Sequence, residues 1–189
     1  MQFLAANRNQ AIAVAAILLA SLISLELLGR VWWCEAGDYS PWSWVVNSRH
    51  NSQHLIDPYS FTHVLHGILE FWLIGLVFWK VPMAWRFVIA IFIESSWEVL
   101  ENTNYVINRY REATISLDYY GDSIANSLFD IVCCGVGFAI AYKIRLWLSL
   151  AVFVLMEVIL LFWIRDSLLM NILMLVWPLD AVKQWQMAL

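Results

Sequence analysis

A chain of 189 residues that is 62% hydrophobic and 14% charged lies outside the soluble range of about 45–50% apolar and about 25% charged residues. This is the composition of a membrane protein with a single composition regime and one domain over 1–189. A net charge of −4 with no basic run argues against a nucleic-acid partner.

The first apolar run, about 11–29, is long enough to cross a bilayer at about 20 residues per helix. No small-residue cleavage site follows it, only Arg30, Val31, Trp32, Trp33 and Cys34, so it reads as an uncleaved anchor. The connector 30–60 carries Trp32, Trp33, Trp42 and Trp44, residues that favour the membrane–water boundary. Asp57 and Pro58 supply start chemistry for the second crossing, about 61–79. That crossing holds His63, His66 and Glu70 at i, i+3 and i+7. A tight Lys80-Val-Pro82 turn leads to a third crossing, about 83–101, with Glu94, Glu98 and Glu101 on one helical face.

The next connector, 102–121, contains Arg109, Arg111, Glu112, Asp118, Tyr119 and Tyr120, and Gly121 turns the chain into a fourth crossing, about 122–142. There Asp122, Asn126 and Asp130 repeat at i, i+4 and i+8, and Gly135, Gly137 and Ala139 permit close helix packing. A fifth crossing, about 146–164, holds Glu157. The apolar stretch 167–177 is too short to span and reads as an interfacial or re-entrant helix, with a sixth crossing as the alternative. Cys133 and Cys134 read as core fillers, and a lone Cys34 builds no disulfide framework.

The first and third connectors share one side of the membrane whichever way the chain inserts. Counted from that side at about 1.5 Å per residue, His66 lies roughly 8 Å deep and Glu70 roughly 14 Å. Glu98 and Glu94 lie about 5 and 10 Å deep, and Asn126 and Asp130 about 6 and 12 Å. Ionisable groups are costly inside a membrane, so matched depths on three helices predict one polar pocket open to that side. The bland alternative is a set of interhelical hydrogen bonds, at about 0.6 kcal/mol each. For a single residue such as Asp130 or Glu157 the two readings weigh equally.

The expected catalytic set is His66, Glu94, Glu98, Asp122 and Asn126. Arg109 and Arg111 are placed to hold an anionic group, with Glu101, Asp118 and Tyr120 beside them. His and carboxylates also suit zinc or iron, but no HxxxH or ExxH pair falls inside a crossing, so no metal ligand and no cofactor is assigned. An N-terminus on the cytoplasmic side puts Arg8, Lys80, Arg86, Lys143 and Arg145 inside, and leaves Arg30, Arg49, Arg109, Arg111 and Arg165 outside. With that orientation Cys34 is expected to react with a membrane-impermeant thiol reagent, and Cys133 and Cys134 to react slowly.

The runs Glu98-Val-Leu-Glu101-Asn102, Arg109-Tyr-Arg-Glu-Ala-Thr114 and Leu117-Asp-Tyr-Tyr-Gly-Asp-Ser123, with Phe61-Thr-His63 and His66-Gly67, resemble the signature of an uncharacterised alphaproteobacterial inner-membrane family, a domain of unknown function. The resemblance covers nearly the whole chain and implies a multi-pass inner-membrane location. More remotely, Asp122-Ser-Ile-Ala-Asn126 is similar to the Asp-x-x-x-Asn element of the VanZ-like group, although Phe129 stands where that group usually has glycine. That similarity implies cell-envelope lipid or glycan chemistry, by analogy alone.

The sequence thus predicts an all-α polytopic bundle of about five transmembrane helices with a C-terminal interfacial helix. Two function classes stand: an enzyme acting on a lipid or lipid-linked substrate, and a proton- or cation-coupled transporter or lipid-binding module. A structural subunit of an envelope complex is a third.

Overall fold

The computed structural model describes residues 7–114 and 119–188, and every regular element among them is a helix. In chain order these are α1 (Arg8–Leu27), α2 (Ser60–Val77), α3 (Met83–Glu101), α4 (Asn104–Ala113), α5 (Ile124–Lys143), α6 (Leu146–Ile164), α7 (Leu168–Val176) and α8 (Asp180–Met187). Four of them, α1, α2, α5 and α6, are long and apolar enough to cross a membrane. At 19 residues α3 matches them in length, but it carries Arg86, Glu94, Glu98 and Glu101.

Helices α2 and α5 form the central pair, and two glycines explain how closely they approach. A Cβ on Gly67 would stand 1.9 Å from the Cys134 carbonyl oxygen, and one on Gly137 would stand 1.9 Å from that of Val64. Only backbone fits at both crossings. The nearest atom to a Cβ on Gly135 would be the Phe87 ring at 3.4 Å, so that glycine faces α3 instead. Around the pair, α3 packs on α2 and α5, α1 on α3, and α6 on α2. Leu65, Ile68, Ala141, Phe153 and Leu160 fill the α2–α5–α6 core, while Ile74, Ala90 and Phe138 fill the space toward α3.

Helices α2, α4, α5 and α7 start on side-chain acceptors. Asp57 Oδ1 accepts from the amides of Tyr59 (2.7 Å) and Ser60 (3.0 Å) at the start of α2. Ser123 Oγ accepts from Asn126 N at 3.1 Å to open α5. The connector 102–121, to which the sequence reading assigned no helix, contains α4, which begins where Thr103 Oγ1 accepts from Val106 N. Glu157 of α6 caps α7: its two oxygens accept from Leu168 N at 2.9 Å and Leu169 N at 3.3 Å. A carboxylate on the first amides of a helix is favoured by the helix dipole, so Glu157 has a structural role.

The first and third connectors interlock. Ser52 O accepts from Ser123 N at 2.9 Å, Val31 O from Ile124 N at 2.8 Å, and Gly121 O from Gln53 Nε2 at 2.8 Å. Gly121 sits at φ +94°, and a Cβ there would lie 2.1 Å from Arg30 Nη1, so the turn needs glycine on two counts. In this packed layer Cys34 is only 6% exposed, contrary to the open thiol expected of a solvated connector.

Candidate functional site

The polar stripes of α2, α3 and α5 meet in the upper half of the bundle. Glu94 accepts from both α2 histidines. Its Oε1 contacts His63 Nδ1, and its Oε2 lies 2.9 Å from His66 Nδ1. A carboxylate can only accept, so Glu94 holds both imidazoles with the proton on Nδ1 and leaves Nε2 of each as the basic nitrogen. Glu98, one helical turn along, puts Oε1 3.3 Å from the same His63 Nδ1. That nitrogen is already committed to Glu94. Neither oxygen of Glu98 has a hydrogen-bond partner, although the residue is completely buried. Asp130 Oδ2 approaches His63 Nε2 at 3.8 Å, and its Oδ1 is likewise buried without a partner. Deeper, Glu70 Oε2 accepts from the Cys134 thiol at 3.2 Å.

Above this cluster a second network joins α3 to α5. Asn102 Nδ2 donates to Asp122 Oδ2 at 2.9 Å, and Asn102 Oδ1 accepts from Asp122 N at 2.7 Å. Tyr119 OH donates to Asp122 Oδ1 at 3.0 Å. Burial pushes the Asp122 carboxyl above its usual range, against the pull of the Asn102 and Tyr119 hydrogen bonds. Burial likewise raises the Tyr119 hydroxyl, with the Asp122 charge adding to it.

Between the two networks lies a cavity of about 60 Å³, whose walls include His63, His66, Glu101, Tyr110, Tyr119 and Asp122. This is room for a few waters or the end of one substrate group, since a site for a whole small molecule measures about 300–1,000 Å³. Helix α7 closes one side with Asn171 and Leu175, and Tyr110 OH donates to Asn171 Oδ1 at 2.9 Å. Outside it lies a wider cleft of about 550 Å³ lined by Arg30, Arg49, Gln53 and Tyr120. The two spaces share Asn51 and Asp122 as wall residues.

The structure therefore places His66, Glu101 and Asp122 in the wall of one cavity, with Glu94 behind His63 and His66 and Glu98 behind His63. Asn126 is buried beside them, but its amide donates to the His54 carbonyl at 2.9 Å and it does not line the cavity. Arg109 and Arg111 do not line it either. Arg109 Nε donates to Leu175 O at 2.9 Å, and the Arg111 guanidinium lies over the Tyr120 ring at 5.2 Å. Tyr120 is exposed at the outer cleft, and Asp118 lies outside the described residues.

Sequence reasoning passed over His63, Arg30, Arg49 and the α7 wall. For His63 the signal was present, since His63 and His66 are one turn apart and face α3 together. For cation binding, three donor sets of this cluster have ligand atoms within 4.8 Å of one another: His63–His66–Glu94, His63–Glu98–Glu101 and Glu70–Glu94–Cys134. Nitrogen and oxygen donors of this kind suit zinc, iron or manganese.

Comparison with known proteins adds the family. The UPF0314 protein NGR_c32320 of Sinorhizobium fredii is 45% identical over 178 residues, covering 94% of this chain and 90% of that protein. The UPF0314 protein R03235 of Rhizobium meliloti is 47% identical over 175 residues, covering 93% of this chain and 89% of its own length. A UPF0314 protein of Paracoccus denitrificans is 42% identical over 185 residues, covering 97% and 96%. No solved structure matches. The model of one family, described as a protein of unknown function (DUF2585), matches residues 25–188, and the chain belongs to that family.

Proposed function

We propose that this chain is an inner-membrane enzyme that performs acid–base chemistry on the headgroup of a lipid or lipid-linked envelope substrate. The observation that carries the reading is the Glu94 carboxylate, which orients two imidazoles at the edge of a buried cavity. Fixing the tautomer through Nδ1 makes Nε2 of His66 the base, and Glu94 stabilises the imidazolium that forms when it takes a proton. Tyr119, whose hydroxyl proton burial and the Asp122 charge hold on, stands across the cavity as the return donor.

The cavity wall contains no lysine or arginine among the described residues, whereas the outer cleft contains Arg30 and Arg49. A phosphate or other anionic portion accordingly belongs in the outer cleft, and a neutral hydroxyl- or amine-bearing end enters the cavity. Arg30 and Arg49 take over the anion-holding role expected of Arg109 and Arg111.

The membrane placement has α3 as a fifth crossing, an N-terminus in the cytoplasm, and both connectors outside. Crossing parity supports α3 as a crossing. The connector before α2 and the one after α3 interlock through Ser52–Ser123 and Gln53–Gly121, so α3 returns the chain that α2 carries across. The α7–α4 contacts Tyr110–Asn171 and Arg109–Leu175 fit α5 and α6 crossing as a pair. The tests are incubation of the purified protein with envelope lipid extract, read by mass spectrometry, and proton or ion flux in liposomes. Consumption of one lipid species supports the enzyme.

A second reading has one specific observation behind it. Glu98 is fully buried with both oxygens unpartnered, beside the His63 imidazole and Glu101. A cation or proton carried at that point would satisfy it, and flux without lipid turnover would select this reading.

A further inference from the structure

Away from the intramembrane cluster, the outer connector gathers a second set of donors. We infer that Cys34, His50 and His54 form a three-residue zinc site, its fourth position left to water, that pins the outer connector. This inference is independent of the enzyme reading.

The three donor atoms are spaced as three corners of a zinc coordination shell. Cys34 Sγ lies 3.4 Å from His50 Nδ1, and His50 Nδ1 lies 3.1 Å from His54 Nε2. All three ligand atoms fall within 4.8 Å of one another. Zinc bonds of about 2.05 Å to nitrogen and about 2.3 Å to sulfur give tetrahedral edges of about 3.3 Å for N–N and about 3.6 Å for N–S. Asp38 Oδ2 stands 4.0 Å from His50 Nδ1, while its Oδ1 is occupied by Ser40 N at 2.8 Å.

Proton counting leaves an ordinary hydrogen-bond chain one acceptor short. His54 Nδ1 lies 2.6 Å from the Ser40 carbonyl, which can only accept, so the proton sits on Nδ1 and Nε2 presents a lone pair. The His50 Nδ1 proton then serves His54, and the Cys34 thiol faces an N–H with no lone pair to receive its own hydrogen. Carbonyl-to-Nδ1 support behind a ligating Nε2 is also the usual outer-shell arrangement of metal-bound histidine. Zinc in this position takes the thiolate and two neutral imidazoles, with water in the fourth place. It releases the Cys34 proton to solvent, and the remaining charge of +1 is faced by the Asp38 carboxylate, 4.0 Å from His50 Nδ1.

The location has a structural consequence. Cys34 and His54 are buried, His50 is half-buried, and the flanking residues Glu35, Ala36 and Arg49 line the outer cleft. Past His54, its carbonyl holds Asn126 of α5. One zinc ion would tie together the two ends of a connector that otherwise relies on hydrogen bonds.

The test uses the full chain in detergent, stripped with a chelator and titrated with cobalt(II). A thiolate-to-cobalt charge-transfer band in the near ultraviolet should grow to one equivalent and be displaced by zinc. Cys34→Ser should abolish it, and His54→Gln should weaken binding about ten-fold or more. Cys134→Ser and Glu94→Gln should leave it unchanged. Cys34→His, which retains a ligand, should bind cobalt without the band, so that misfolding of the serine variant does not decide the matter. Absence of the band in the wild-type protein, its survival in Cys34→Ser, or its loss in Cys134→Ser would overturn the site.

Discussion

His66 Nδ1 and Glu94 Oε2 meet 2.9 Å apart across the α2–α3 interface, although 28 residues separate them in sequence. That contact, shared by His63, turns three separate polar stripes into one centre. Its stability and its chemistry are separable by mutation.

Glu98 is the clearest case. A buried carboxylate with no hydrogen-bond partner costs stability that its neighbours do not return. Glu98→Gln is expected to leave the thermal midpoint of the detergent-solubilised protein unchanged, or to raise it by the equivalent of about 1 kcal/mol. A large drop in midpoint would mean that a cation or ordered proton satisfies the native carboxylate.

The close approach of α2 and α5 gives a second expectation. Gly137→Ala and Gly67→Ala each place a methyl group inside a backbone carbonyl and should cost about 3 kcal/mol or more, the upper end of overpacking losses. Gly135→Ala, with only a ring edge at 3.4 Å, should be tolerated. Thermal unfolding followed by tryptophan fluorescence distinguishes the two behaviours. Equal midpoints for all three variants would refute the packing.

Helix α7 depends on Glu157. Removing both acceptors with Glu157→Leu should leave the Leu168 and Leu169 amides unsatisfied and loosen the first turn by about 1–2 kcal/mol. Hydrogen exchange at those amides should accelerate roughly ten-fold. Unchanged exchange there would remove the capping role.

The pH dependence of stability outside the membrane follows from two buried aspartates. Asp57 and Asp166 are each raised from 3.8 to about 6, burial being the largest cause. Between those values the folded chain holds more protons than the unfolded one, so stability falls as pH rises from 3.8 to about 6 and levels off above. Asp166→Asn keeps an acceptor for Ser167 N and should flatten that decline, by roughly 2 kcal/mol at neutral pH. Unfolding midpoints from pH 4 to 8 measure it, and a wild-type midpoint rising through this window would contradict the assignment.

How far the sequence carried these conclusions can be traced residue by residue. The apolar runs marked the long helices to within a few residues, and i, i+4 spacing placed Glu94 with Glu98 and Asp122 with Asn126 on common faces. Their partners are set by helix rotation, which periodicity alone does not supply. Asn126 accordingly looked like a site residue, yet it ties α5 to the first connector through His54. Arg109 looked like an anion clamp because its partner, the Leu175 carbonyl, is 66 residues away and backbone acceptors leave no mark in a sequence. Helix α4 was hidden in a polar connector, although Thr103 could have signalled its cap. Cys34, His50 and His54 were each visible, but 16 residues separate the first two and no local motif joins them.

The most direct measurement of the central claim is the envelope lipid profile of a deletion strain complemented with wild-type, Glu94→Gln or His66→Gln protein at matched membrane levels. Loss of acid–base function lowers turnover about 10²–10⁴-fold. Both variants should therefore accumulate the same lipid species as the deletion, and the wild-type protein should clear it. Full clearance by Glu94→Gln and His66→Gln, or a deletion profile identical to wild type, would contradict the account.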